Sequence, residues 1–226
     1  MSHRLGLALL LFSSVLANAN AGIVIFSTNN PTNPNNGLRT QGFWSATVDN
    51  AGTHFVTGSD GSDTARGFLS FDLSTLTTRE LIQGATINVQ RYNSGGQAVE
   101  TIEVFDVSTD VLSLHDTNGN SSASIFNDLG TGTSYGSFNI AGTGLSNEIL
   151  SFTLNASAIA DLNAARGGFF SVGLDLVSQD GSDFVFSGSN APGLQTISLN
   201  VTTIPEPNSL ALLGAVVVSI GGRRRR

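Results

Sequence analysis

The chain has 226 residues, no cysteine, and 17 acidic against 10 basic residues, all ten of them arginine. A net charge of −7 repels phosphate backbones, which excludes nucleic acids as expected partners, and it favours divalent cations. The lack of cysteine excludes a disulfide framework, so burial and hydrogen bonding must stabilise the fold. With 26 glycines and 14 phenylalanines, the composition is typical of short strands joined by tight turns.

The first residues have the pattern of a secretory signal peptide. A positive charge precedes an almost wholly apolar run, and small residues follow it. Signal peptidase accepts only small side chains at the third and first positions before the cut, and either Ala17 with Ala19 or Ala19 with Ala21 fits. We predict cleavage after Ala21, which makes residues 1–21 the leader. The run is shorter than the roughly 20 apolar residues of a membrane-spanning helix, so a removable leader is favoured over an anchor.

Residues 22–203 are predicted to form one all-β domain. Apolar side chains alternate with polar ones along several short segments, which places one set on a buried sheet face. The predicted inward residues are Leu69, Phe71, Leu73, Ile87, Val89, Ile102, Val104, Leu150, Phe152, Leu154, Phe170, Val172, Leu174, Leu176, Phe184, Phe186, Ile197, Leu199 and Val201. Their neighbours, such as Ser70 and Asp72, are predicted to face water, so only one face of each sheet is expected to be dry.

Clusters of Gly, Asn, Asp and Ser separate these strands, which favours a single antiparallel β-sandwich or jelly roll. One short connector helix is predicted over residues 156–165, with Asn155 or Ser157 as its cap. Residues 27–39 and 116–124 are predicted loops.

The body contains no combination of residues that clearly indicates catalysis. His54 and His115 both lie among turn-forming residues, and nothing in the sequence places a base beside a nucleophile. Glu100 with Glu103 or Asp72 could supply the carboxylate pair of a glycosidase, but exposed acids on a wet sheet face explain them as well. We therefore expect no enzyme activity, and a secreted hydrolase is the second alternative.

Two identical sequences, Asp-Gly-Ser-Asp, are candidate metal ligands. They supply Asp60 and Asp63 in one loop and Asp180 and Asp183 in another. Calcium prefers six to eight oxygen donors on flexible loops, so a structural Ca²⁺ is one reading. The other reading needs no metal, because Asp and Gly at these spacings also form ordinary turns.

Sugar binding would require aromatic rings with a free face. Trp44, Tyr92 and Tyr135 are candidates, since each lies among Gly, Ser or Asn residues. Trp44 follows Phe43 directly and could equally be a core residue.

The C-terminal segment, residues 204–226, has three parts. Pro205-Glu206-Pro207 holds an extended backbone, residues 210–220 are almost wholly apolar, and Arg223, Arg224, Arg225 and Arg226 end the chain. The arginines resist translocation and keep the end of the chain in the cytoplasm. The apolar run is short for a hydrocarbon core of about 30 Å, which favours a transient stop over a durable anchor.

This three-part tail resembles the PEP-CTERM sorting signal of Gram-negative bacteria. The resemblance implies a membrane-spanning precursor, cleavage near Pro-Glu-Pro by an exosortase-type protease, and delivery to the cell surface or an exopolysaccharide matrix. Signal peptidase and the secretion machinery are further implied partners. The first functional expectation is therefore a non-catalytic surface or matrix protein.

The middle of the body has a second resemblance. The sequence Arg-Gly-Phe-Leu-Ser-Phe-Asp-Leu-Ser over residues 66–74, with residues 85–89 and 183–189, is similar to DNRLRE-type surface domains. These are jelly rolls of the carbohydrate-binding kind, so the resemblance implies a jelly roll. It also supports the first alternative function, a carbohydrate-binding module that engages exopolysaccharide.

Overall fold

The structure is a computed structural model that describes residues 21–28, 39–45, 47, 55–77, 79–116, 122–145, 148–187 and 197–205. Its strands are β1 (Gly22–Ser27), β2 (Gln41–Ser45), β3 (Thr57–Ser59), β4 (Thr64–Asp72), β5 (Glu80–Gln90), β6 (Asn93–Gly95), β7 (Val99–Asp106), β8 (Ser134–Ala141), β9 (Ile149–Thr153), β10 (Phe169–Leu176), β11 (Phe184–Ser187) and β12 (Ile197–Pro205). Its helices are α1 (Val111–Leu114), α2 (Ala123–Asp128) and α3 (Ala156–Ala164).

The strands form two sheets, and every pairing among the described residues is antiparallel. The smaller sheet has the order β1-β12-β5-β9. The larger has the order β6-β11-β3-β4-β10-β7-β8, with β2 also paired to β4. One hydrophobic cluster contains residues of both sheets, so the sheets pack face to face. The predicted all-β sandwich is confirmed, whereas the jelly-roll resemblance stays a prediction.

The alternation in the sequence predicts the main core well. Every side chain predicted to point inward on β5, β7, β10 and β12 is buried in the shared cluster. Two predicted inward residues are only partly buried, Leu150 on β9 and Phe184 on β11. On β11, Val185 and Phe186 are both buried. Phe186 has a positive φ of 63°, which breaks the two-residue period of the strand.

The prediction that each sheet has only one dry face is wrong for β4. Ser70, predicted to face water, is fully buried, and its hydroxyl lies 2.7 Å from that of Ser171. A second hydrophobic cluster covers this outer face and consists of Trp44, Phe68, Leu114, Ile125 and Leu129. These residues come from β2, from β4 itself, and from the region of α1 and α2, so distant chain segments supply the cover.

Helix α3 is confirmed close to its predicted bounds. The Asn155 side chain accepts from the N–H groups of Ser157 and Ala158, as an N-cap does. The expectation of a single helix is wrong, because α1 and α2 also form, and α2 begins within the predicted loop 116–124. At four and six residues, both helices are too short to show a helical period in the sequence.

Candidate functional site

The last strand of the body runs directly into the predicted sorting motif. β12 lies between β1 and β5, and its register pairs Ile204 with Leu81 and Pro205 with Glu80. The strand therefore extends two residues beyond the predicted domain boundary at residue 203. Pro205, the first residue of Pro-Glu-Pro, belongs to the sheet. The sorting motif thus follows the folded body without a linker.

Contacts with the end of α3 hold the start of β5, against which Pro205 pairs. The N–H of Ile82 donates to the side chain of Asn163 at 2.9 Å, and the Asn163 amide donates back to the Ile82 carbonyl at 2.9 Å. The Arg166 guanidinium donates to the carbonyls of Asn163 and Glu80. Because Asn163 and Arg166 lie at or just past the end of the helix, α3 fixes the position of this edge.

The N-terminal end of β1 lies beside the same point. Gly22, the residue after the predicted signal-peptidase cut, pairs with Thr203 of β12. Ala21 is the first described residue, and Ala19 lies outside the described residues. Glu206, Pro207, Arg223, Arg224, Arg225 and Arg226 lie outside them as well. Among the described residues, no helix is long and apolar enough to span a membrane.

The two Asp-Gly-Ser-Asp turns lie side by side, which the sequence did not indicate. The Ser59 N–H donates to the Asp183 carbonyl at 2.7 Å, and a Cβ on Gly61 would come within 2.5 Å of the Ser182 hydroxyl. The Asp60 carboxylate accepts from the hydroxyl and the N–H of Ser62, and these bonds lower the pKa of Asp60.

The other aspartates of these turns also have local partners. Asp63 accepts from the Thr47 hydroxyl at 2.5 Å, and Asp183, which is buried, accepts from the Asp180 N–H at 2.8 Å. Across the described ranges, no group of three or more His, Cys, Asp or Glu residues is arranged to hold a metal. Calcium binding stays a prediction, and hydrogen bonds account for the positions of the Asp60, Asp63 and Asp183 carboxylates without a metal.

The structure separates the three predicted sugar-binding rings. Trp44 is 3% exposed and its indole N–H donates to the Leu114 carbonyl at 3.1 Å. Tyr135 is 2% exposed; its hydroxyl donates to Asp161, and burial raises its pKa. Both are therefore core residues. Tyr92 is partly exposed and is the one of the three that could offer part of a ring to a ligand.

The sequence pattern does not predict that the basic side chains of Arg39 and His115 are buried. Arg39 is buried over the ring of Phe68, 5.5 Å from its centroid, and donates to the Asp116 carbonyl at 3.1 Å. Burial lowers its pKa to about 10. His115 stacks on Phe68 and meets the edge of Phe169, and neither of its ring nitrogens has a hydrogen-bond partner. Burial, and then the charge of Arg39, lower the His115 pKa to about 4.

Glu100 is a further correction, because the sequence analysis treated it as an exposed acid. It is fully buried, accepts from the Gln97 N–H at 2.7 Å, and also accepts from the Ser178 hydroxyl. Glu103 is only partly buried, and Asp72 is exposed at the end of β4. Glu100 and Glu103 are three residues apart on β7, so they project from opposite faces of the sheet.

Comparison with known proteins identifies the C-terminal segment. Residues 203–226 match the PEP-CTERM protein-sorting motif, and the match includes the last three residues of β12. No curated protein matches the chain. The motif supports an exported protein that is associated with the cell surface and processed through an exosortase. The chain thus carries a PEP-CTERM sorting motif joined directly to an antiparallel β-sandwich.

Proposed function

We propose that the protein is a non-catalytic component of the cell surface or extracellular matrix of a Gram-negative-type bacterium. Its precursor spans the inner membrane through the apolar run 210–220, and an exosortase releases the folded body near Pro-Glu-Pro. The observation that carries this proposal is the sorting motif at residues 203–226. The motif directs the β-sandwich to the cell surface, and the body acts there.

The hydrogen bonds of the acidic side chains support a role without catalysis. Asp60, Asp110 and Asp128 accept from backbone N–H groups in turns or at a helix cap. Glu100 is buried and accepts two bonds, from a backbone N–H and a hydroxyl. A general acid or base needs access to substrate. These carboxylates instead fix the local backbone.

The test is the mass of the chain recovered from cells that contain the exosortase. A mass that begins near Gly22 and ends near Pro205 is expected for the unmodified sequence. Glu206→Ala should retain the tail, whereas Glu103→Ala, which removes a glutamate from β7, should be processed normally. Normal processing of the Glu206→Ala chain would contradict the proposal.

A carbohydrate-binding module is the second candidate, and one observation favours it. Outward positions of β5, β9 and β12 carry uncharged polar side chains on an acidic protein, beside the exposed Ile149 of β9; the polar ones are Thr86, Asn88, Ser151, Thr153, Ser198, Asn200 and Thr202. The Ser151 hydroxyl donates to Asn88 at 2.7 Å, and Ser151 and Thr153 are exposed. Hydroxyl and amide groups of this kind suit a neutral, hydroxyl-rich polysaccharide.

Paired substitutions test this second candidate. Asn88→Asp places a charge on the uncharged face and should weaken retention of the processed body on immobilised neutral polysaccharide. Asn139→Asp is the matched control, since Asn139 lies on β8 of the other sheet and likewise accepts from a neighbouring hydroxyl, that of Thr101. Equal retention of both variants would exclude this face as the sugar site.

A further inference from the structure

The two apolar segments of the precursor attach to one end of the sandwich, which we name the sorting end. It comprises Gly22, Glu80, Pro205, residues 72–77 and 79, and the connection 165–168. The pairs Gly22–Thr203 and Pro205–Glu80 bring the first strand, the last strand and the start of β5 together. Hydrogen bonds between Leu73 and the glycines 167 and 168 tie the larger sheet to the same end.

The opposite end of the sandwich, the distal end, comprises residues 90–97 and the turns 60–63 and 180–183. Phe184 pairs with both Gly58 and Gly95, which joins these segments. β5 has 11 residues and connects the two ends over about 33 Å. The two ends of the sandwich are therefore well separated.

The tether between the body and the membrane segment is short. Leu210, where the apolar run begins, is the fifth residue after Pro205. Such a connection spans at most about 18 Å even when fully extended. That is roughly half the length of β5, so the sorting end cannot leave the neighbourhood of the membrane while the tail is in place.

We propose that the precursor stands on its sorting end, with that end against the lipid surface and the distal end pointing away. This inference rests on the proposed function, because it requires the tail to enter the membrane. In this arrangement the body has a fixed orientation before release, and the processing motif lies between the folded sheet and the lipid.

The distribution of charge supports this orientation over the inverted one. The distal end carries Asp60, Asp63, Asp180 and Asp183 against one basic residue, Arg91, which is buried and forms an ion pair with Glu148. The sorting end carries Arg79 and Arg166 alongside Asp72 and Glu80, which balances its charge. Anionic headgroups repel a surface rich in carboxylates more strongly than a surface whose charges cancel. This repulsion also favours an orientation in which the distal end points away from the lipid.

The absence of cysteine makes accessibility measurements direct, because any introduced thiol is the sole one. Thr75→Cys probes the sorting end, Ser182→Cys the distal end, and Ser151→Cys the outward face of the smaller sheet; all three positions are exposed. Ser74→Cys is a second probe of the sorting end in case the first variant does not fold. Each full-length variant is expressed in cells without the exosortase, and spheroplasts are treated with a bulky, membrane-impermeant maleimide.

The expected result is labelling several-fold slower at Thr75→Cys than at Ser182→Cys in the precursor, and equal rates in the body released by exosortase-containing cells. Equal rates in the precursor would overturn the proposal. Protection of Ser151→Cys would overturn it in favour of a body lying flat on its smaller sheet. Protection of Thr75→Cys that arises only when the exosortase is present would show contact with the enzyme instead of lipid.

The same samples separate this inference from the proposed function. If the chain keeps its tail in exosortase-containing cells, as measured by mass, the processing proposal fails. The labelling ratio in cells without the exosortase still reports the orientation in that case. If processing is normal and the ratio is one, the orientation alone is wrong.

Discussion

His115 should make the stability of the protein depend on pH between about 6.5 and 4. Its ring is 1% exposed, and burial followed by the nearby charge of Arg39 lowers its pKa from 6.5 to about 4. The carboxylate of Asp110 acts in the opposite direction, and Asp116 faces Arg39. In the unfolded chain the ring recovers its ordinary pKa, so the unfolded state binds the proton first as pH falls.

The sign follows from that difference in proton binding. Above pH 6.5 the ring is neutral in both states, and His115 adds no pH dependence. Between pH 6.5 and 4 only the unfolded state is protonated, so the free energy of unfolding falls with pH. Acidification from pH 7 to 4 should remove about 3 kcal/mol through this residue. The pKa of Asp60 is held below 3.8, so that carboxylate titrates below this window.

Urea unfolding at pH 7, 5.5 and 4, followed by the emission of Trp44, measures the effect. Trp44 is the single tryptophan, is buried, and bonds to the carbonyl of Leu114, the residue before His115. His115→Phe is the control, because it keeps a flat ring between Phe68 and Phe169 but binds no proton. All other titratable groups are the same in the two proteins, so the difference between them reports His115. An equal loss of stability in the two proteins on acidification would refute the argument.

Three further substitutions, with Thr202→Ala as a control, test the packing by urea unfolding. Leu199→Ala in β12 should cost about 3 kcal/mol because Leu199 is fully buried, while Thr202→Ala on the outward face should cost far less. Asn155→Ala removes the cap of α3 and should cost about 1 kcal/mol. Gly173→Ala should cost about 2 kcal/mol or more, since the new Cβ would lie 2.3 Å from the Leu129 carbonyl. Near-neutral results for these buried or capping positions would contradict the packing described.

The sequence predicts local structure where one physical rule acts alone. In β10, Phe170, Val172, Leu174 and Leu176 alternate and are all buried, because a strand with one face on the core needs only a two-residue period. The cap of α3 is equally local, since Asn155 and the N–H groups it accepts from lie within three residues.

Predictions from the sequence are wrong or missing where segments that are distant in the chain contact each other. Ser70 looks exposed by alternation, but residues of β2 and α2 cover it, and no local pattern in β4 indicates that cover. Arg39 carries a charge that normally remains in water, yet it is buried over Phe68. The two Asp-Gly-Ser-Asp turns are each recognisable as turns. Their contact depends on the pairing of β11 with β3, which the sequence does not specify.

The position of β12 links completion of the fold to the sorting motif. β12 is the last strand in the chain, yet it lies between β1 and β5, and among the described strands it is the sole partner of β1. Until its nine residues have crossed the membrane, β1 has no partner, and the core lacks Leu199 and Val201. The smaller sheet therefore closes only when the chain has been exported as far as Pro205. Since Pro205 also begins the sorting motif, a mutation that loosens β12 changes both stability and the presentation of Glu206, and the two effects must be measured on the same sample.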